Sequence, residues 1–155
     1  TPTFEDSKKI VQAGADIIAL DCVAFASDIR ENPYEHIKRL HEELGVMVMA
    51  DISTAEEALL ADKAGADAIS TTLSGYVPGA LHTAEELYVP DFALLKEIID
   101  LKLNCAVVAE GRFWRREDVI KAFSMGVDGM VIGKAITNPM AITKYFTAGI
   151  KELIK

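Results

Sequence analysis

The sequence predicts an α/β protein made of repeated βα units: part of a (β/α)8 TIM barrel, with about five parallel strands and six helices. Three observations predict it. The first is a repeat. Ala13-Gly14-Ala15-Asp16 runs into an apolar segment at 17–21, Ala64-Gly65-Ala66-Asp67 into one at 68–72, and Met125-Gly126-Val127-Asp128 into one at 129–133. In each copy a helix-like segment stops at a glycine, the residue that most easily takes the left-handed backbone past a helix end. The second is that the strand-like segments are apolar on both faces, as buried parallel strands are, and do not alternate. The third is the exit of the first strand into Asp21-Cys22-Val23-Ala24-Phe25-Ala26, with no glycine. A dinucleotide-binding sheet carries a Gly-rich turn at that point, so the barrel is favoured over the open doubly wound sheet. A complete barrel takes about 250 residues. A chain of 155 residues that opens on a helix is therefore expected to be the C-terminal part of one, with about three N-terminal βα units absent.

The elements follow in order. A helix over 4–13 leads to a strand over 17–21, and a helix over 33–44 to a strand over 46–52. Asp51-Ile52-Ser53-Thr54-Ala55-Glu56-Glu57 then carries a capping signature, with Ser53 or Thr54 at the N-cap and Glu56 or Glu57 reaching back. It starts a helix over 54–64 that feeds a strand over 68–72. The stretch from 73 to 89 is of mixed polarity and includes Val77-Pro78-Gly79, which suits an active-site lid or a plain surface loop. Pro90-Asp91 opens a helix over 91–102, followed by a strand over 106–111, a helix over 115–125 and a strand over 129–133. Pro139 starts a final helix over 139–154. No linker or low-complexity stretch interrupts the pattern, so residues 1–155 are read as one domain.

Composition narrows the function. Half of the residues are hydrophobic, yet no apolar run approaches the roughly 20 residues of a membrane helix. No basic segment precedes an apolar one in the manner of a signal peptide. A net charge of −8 argues against nucleic acid as a partner, while a few local donors can still hold a small phosphate. The two cysteines, Cys22 and Cys105, lie in apolar runs and read as buried thiols, which fits a reducing cytoplasm.

Chemistry in such a barrel lies at the C-terminal ends of the strands. The polar residues there are Asp21, Asp51, Thr71 and Thr72, Glu110 with Arg112, and Lys134. One acid at a strand end often caps a helix or pairs with an arginine; five polar strand ends on one rim point to a site. Glu110 stands out, because four apolar residues precede it and Gly111 leaves room beside it. Low-dielectric surroundings would suit it to proton transfer. Residues 110 and 112 share a side of an extended strand, so Arg112 could instead hold Glu110 ionised. Gly133-Lys134-Ala135 lies where barrels commonly bind phosphate, and Gly111 sits one strand earlier. His36 and His41 are spaced too poorly to share a helix face, and His82 falls in the long loop, so no metal site is assigned. Trp114 is rim packing or a wall of the pocket.

Several strings taken together resemble the N-acetylmannosamine-6-phosphate 2-epimerase family. They are Ala50-Asp51-Ile52-Ser53-Thr54-Ala55-Glu56-Glu57, Ser70-Thr71-Thr72-Leu73-Ser74-Gly75-Tyr76, Pro90-Asp91-Phe92-Ala93-Leu94-Leu95, Ala109-Glu110-Gly111-Arg112 and Gly133-Lys134-Ala135-Ile136-Thr137. The opening Thr1-Pro2-Thr3 resembles the segment after that family's third strand, and the likeness runs to about residue 147. It implies interconversion of N-acetylmannosamine 6-phosphate and N-acetylglucosamine 6-phosphate, by removal and return of the C2 proton, with no cofactor. It also implies that Glu110 is one proton-transfer group, the other being a lysine on the family's third strand. Three departures stand out. The family usually has Ala-Thr and a lysine-arginine pair where this chain has Cys22-Val23-Ala24-Phe25. It has a phosphate-binding arginine where this chain has Asn138, and a small residue where this chain has Lys134.

The resulting expectation assigns Glu110 and Asp51 to catalysis, Asp21, Thr72 and Arg112 to substrate, and Gly111, Gly133, Lys134 and Ala135 to phosphate. The partner is a small phosphosugar, and two open sheet edges favour a homo-oligomer. Two other readings stay open. A pentose-phosphate epimerase would need metal-binding histidines at strand ends, and none is found. A non-catalytic barrel fragment would need a partner chain to complete its sheet.

Overall fold

The computed structural model describes residues 3–23, 31–77, 86–148 and 150. Helix α1 (Phe4–Gln12) is followed by β1 (Ile17–Asp21), α2 (Pro33–Arg39), β2 (Met47–Asp51), α3 (Ala55–Ala64), β3 (Ala68–Ser70), α4 (Phe92–Asp100), β4 (Ala106–Glu110), α5 (Arg116–Met125), β5 (Gly129–Val131), α6 (Lys134–Thr137) and α7 (Pro139–Ala148). The five strands form one sheet in the order β1-β2-β3-β4-β5, every neighbouring pair parallel. Sequential parallel strands joined by helices give the expected partial βα barrel.

Two element expectations needed correction. The last stretch contains two helices where one was expected, because the residues after Gly133 themselves form the short α6, so the described residues hold seven α-helices. The segment expected as one helix over 33–44 becomes π-helical at Leu40–Leu44 and stops at Gly45, whose φ is 61°. The end of the helix expected over 139–154 and the centre of the 73–89 stretch, including His82, lie outside the described residues. The described part of that stretch closes in a 3-10 turn at Glu86–Tyr88.

Strand parity decides which side chains the helices cover. Ile18 and Leu20 of β1, Val48 and Ala50 of β2, Ile69 of β3, and Val107 and Ala109 of β4 are all buried. They form one core with Ile37, Leu40, Ala58, Ala61, Leu95 and Ile98 from the helices. The alternate residues face the other way, where no helix lies among the described residues. Ile17 is 51% and Met47 48% exposed there. Register aligns Ile17 with Met47 and Asp21 with Asp51, so this second face runs from apolar at its lower end to acidic at its upper end.

The repeated aspartates fix the strand starts. The Asp67 carboxylate accepts the Val48 N–H at 2.7 Å, and the Asp67 N–H donates to the Val48 carbonyl at 2.9 Å. Asp128 repeats both bonds with Val107, each at 2.8 Å. His36 packs inside the fold: it is buried beside the Ser7 hydroxyl, 3.1 Å from its Nε2, between α1 and α2.

The capping signature resolves to Thr54 and Glu57. Thr54 Oγ1 accepts the Glu57 N–H at 3.2 Å, and Glu57 Oε2 accepts the N–H groups of Thr54 and Ser53 at 3.0 and 2.8 Å. Thr54→Ala removes one half of this reciprocal pair. It is expected to lower stability by about 1 kcal/mol, read as a lower urea midpoint at unchanged slope.

Candidate active site

The strand ends bring two carboxylates and two hydroxyls into one cluster. The Thr72 hydroxyl lies 2.7 Å from Asp51 Oδ1 and 2.9 Å from Glu110 Oε2. Ser70 Oγ lies 3.1 Å from the same Glu110 oxygen and 2.8 Å from Thr72 Oγ1. β2, β3 and β4 are hydrogen-bonded neighbours, which is why their ends converge. Thr71 points the other way along the alternation. Its Oγ1 donates to the Glu110 carbonyl at 2.8 Å and accepts the Glu110 N–H at 2.9 Å, locking the glutamate's backbone. Burial is the largest influence on Asp51 and raises its pKa from 3.8 to about 6. The Thr72 hydrogen bond opposes the rise, while Glu110 and Asp21 add to it.

Beyond Glu110 the chain leaves the strand through two left-handed residues, Gly111 at φ 98° and Arg112 at φ 61°. A non-glycine residue in that region costs about 1–2 kcal/mol, and such strain concentrates where a loop must be aimed. The alternation that would have put 110 and 112 on one side of an extended strand therefore stops at Glu110. Arg112 Nη2 lies 3.4 Å from the Ser74 hydroxyl, which itself donates to Asp91 Oδ2 at 2.7 Å. Asp91 caps α4, so the loop after β3, the α4 N-terminus and Arg112 are tied together.

A cleft of about 470 Å³ opens beside this cluster. Its lining includes Thr72, Glu110, Gly111, Arg112, Gly133, Lys134 and Ala135, seven of the nine residues expected at the site. Asp51 is not on its wall but is joined to it through Thr72. Asp21 stays at the end of β1, in register with Asp51 and off the cleft. Trp114 does line it, with its ring stacked on Tyr145 at 24° and 5.1 Å and met edge-on by Tyr88 at 5.1 Å.

Sequence reasoning missed two residues here. Lys144 of α7 lines the cleft together with Lys134. Ser70 was visible as a hydroxyl in an otherwise apolar strand, two residues from Thr72 on the same side. Asn138 has a structural task, its Oδ1 accepting the Ala141 N–H at 2.9 Å to start α7. Cys22, whose N–H donates to the Asp51 carbonyl at 2.8 Å, is fully buried. Burial first, then Asp51 and Asp21, push its thiol up to about 12, so it is protonated near neutral pH and ill suited to act as a nucleophile.

Residues 1–152 match the model of a family of provisionally named N-acetylmannosamine-6-phosphate epimerases. A protein of Caldanaerobacter subterraneus subsp. tengcongensis provisionally named N-acetylmannosamine-6-phosphate 2-epimerase is 42% identical over 153 residues, covering 98% of this chain and 62% of its own length. One of Clostridioides difficile with the same provisional name is 39% identical over 151 residues, covering 97% and 65%. The solved structure of the N-acetylmannosamine-6-phosphate 2-epimerase from Clostridium perfringens superposes with a TM-score of 0.84 at 37% identity, over 96% of this chain and 62% of that one. The chain thus spans just under two thirds of the length of these relatives.

Proposed function

The chain belongs to the N-acetylmannosamine-6-phosphate epimerase family, and from that membership we propose that its protein interconverts N-acetylmannosamine 6-phosphate and N-acetylglucosamine 6-phosphate. The observation that carries this reading is one cleft with a strand-end carboxylate, Glu110, on its wall and two lysines, Lys134 and Lys144, on the same lining. The first suits proton transfer and the second suits a phosphate. In the open-chain sugar, C2 is α to the aldehyde, so its proton can be removed to give an enolate and returned to the other face. Glu110 is the proton-transfer group within these residues. Asp51 acts on it from behind through Thr72, Arg112 on the cleft wall contributes to substrate contact, and Asp21, off the cleft, acts only through its neighbour Asp51. Donors on the cleft wall stabilise the developing oxyanion. Gly111, Gly133 and Ala135 let the phosphate approach the backbone, and Lys134 supplies charge.

The same reading places the protein in the cytoplasm, where Cys22 and Cys105 stay reduced. Among the described residues no helix is long and apolar enough to cross a membrane. It also includes a homo-oligomer.

Lys134→Met tests the phosphate assignment. It is expected to weaken binding of N-acetylmannosamine 6-phosphate by about tenfold, the scale of one charge-assisted contact, and to flatten the salt dependence. Equal affinities by calorimetry would place the phosphate elsewhere.

A further inference from the structure

We propose that the Thr72 hydroxyl is a proton relay, passing one shared proton between the Asp51 and Glu110 carboxyls. The inference rests on the proposed function only for its purpose; the geometry stands apart from any substrate. Thr72 Oγ1 has a single proton but three oxygen neighbours within 2.9 Å: Asp51 Oδ1, Glu110 Oε2 and Ser70 Oγ. Ser70 has one proton and also lies 3.1 Å from Glu110 Oε2. Four close oxygen contacts therefore share two hydroxyl protons. If both carboxyls were ionised, Thr72 could donate to one and would turn a lone pair toward the other at under 3 Å. One further proton on the pair removes that conflict. With Asp51 protonated, its O–H donates to Thr72 Oγ1 and the Thr72 O–H donates to Glu110 Oε2.

The transfer balances. Asp51 gives its proton to Thr72 Oγ1 as Thr72 gives its own to Glu110. A neutral acid and a carboxylate exchange roles, the hydroxyl is regenerated, and no net charge moves in or out. Asp51 is the buried member, 9% exposed and off the cleft, whereas Glu110 lines the cleft. The relay thus connects a stored proton to the group that faces the ligand. Asp21 stands beside Asp51 in register on β1, and its charge opposes ionisation of Asp51, which biases where the proton rests. Arg112 follows Glu110 beyond β4, where its guanidinium lies 3.4 Å from the Ser74 hydroxyl. Thr71 holds the Glu110 backbone next to Thr72 through two hydrogen bonds.

A relay and a simple hydrogen-bond donor predict opposite signs. A hydroxyl that bridges the pair stabilises its singly protonated form, which raises the upper of the two apparent midpoints and lowers the lower one. A hydroxyl that only donates to the Asp51 carboxylate lowers that group's midpoint, so its loss would raise it. The experiment is a carboxyl-carbon NMR titration of the 155-residue chain, of Thr72→Val and of Thr72→Ser. Valine matches threonine in shape and branching, and circular dichroism checks that the variants are folded. We expect Thr72→Val to narrow the gap between the two midpoints by roughly one pH unit, the effect of one charge-assisted hydrogen bond, and Thr72→Ser to keep it. An upper midpoint that rises in Thr72→Val, or a gap unchanged in it, overturns the relay. These readouts need no turnover. A narrowed gap in this chain, with no exchange of the sugar's C2 proton once the chain is joined to the N-terminal βα units of a full-length relative, would therefore sink the proposed function and leave the relay standing.

Discussion

Glu110→Gln is expected to slow exchange of the C2 proton of N-acetylmannosamine 6-phosphate with deuterated water by about 10²–10⁴-fold, the usual contribution of a positioned acid or base. The exchange is followed by NMR in the chain joined to the N-terminal βα units of a full-length relative, since the chain spans just under two thirds of those relatives' length. The melting temperature should hold or rise. Gln keeps the shape of Glu, and its Oε1 can still accept from Ser70 and Thr72, both within 3.1 Å of Glu110 Oε2. Thr71 bonds only the main chain of residue 110, so that lock is untouched. A carboxylate held for stability by an arginine would behave otherwise, since its loss leaves an uncompensated charge costing several kcal/mol. A variant that unfolds yet keeps its exchange rate would show Glu110 to be structural.

Asp51→Asn should stabilise the protein at pH 8 by up to about 3 kcal/mol. The folded protein raises this carboxyl from 3.8 to about 6, chiefly through burial, and each unit is about 1.4 kcal/mol. A group raised in the folded state favours folding fully below its unfolded value. That contribution is lost as pH rises through the folded one. The native protein should therefore lose stability between about pH 4 and pH 6, then run level with respect to this group. Asparagine cannot ionise, so the variant should lack that decline, and the two curves should meet near pH 4. Urea titrations across this range measure it. Parallel curves for the two proteins would mean that Asp51 is not desolvated. A site that holds such a group in place gives up stability for chemistry.

Much of this was legible in the sequence, for identifiable reasons. Parallel strands must be apolar on both faces, so 17–21 and 106–111 announced themselves. The repeated Gly-x-Asp marked where three strands begin. Glu110, Asp51 and Thr72 were found because barrels gather strand ends on one rim. Other features needed the folded chain. Lys144 reaches the cleft from α7, and no local spacing connects it to Glu110 of β4. Arg112 changed its prospects because two left-handed residues turn the chain there, and an arginine gives no sequence hint of a positive φ. Strand ends were overcalled at 71–72 and 132–133, where apolar or β-branched residues continue into turns. Asn138 reads as a lost phosphate ligand until its bond to Ala141 shows it starting a helix.

The clamps at Asp67 and Asp128 imply an unequal freedom to vary. Each bond has a side chain as acceptor and a main-chain N–H as donor. The donor is present whatever residue occupies positions 48 and 107, proline excepted, so those positions answer only to the core around them. A charged acceptor of the right reach exists only while 67 and 128 carry a short carboxylate. Glutamate adds a methylene to a 2.7–2.8 Å contact, and asparagine keeps the reach but turns a charge-assisted bond into a neutral one. Random substitution would thus meet tolerance on one side of each clamp and rejection on the other, although both residues take part in the same bond.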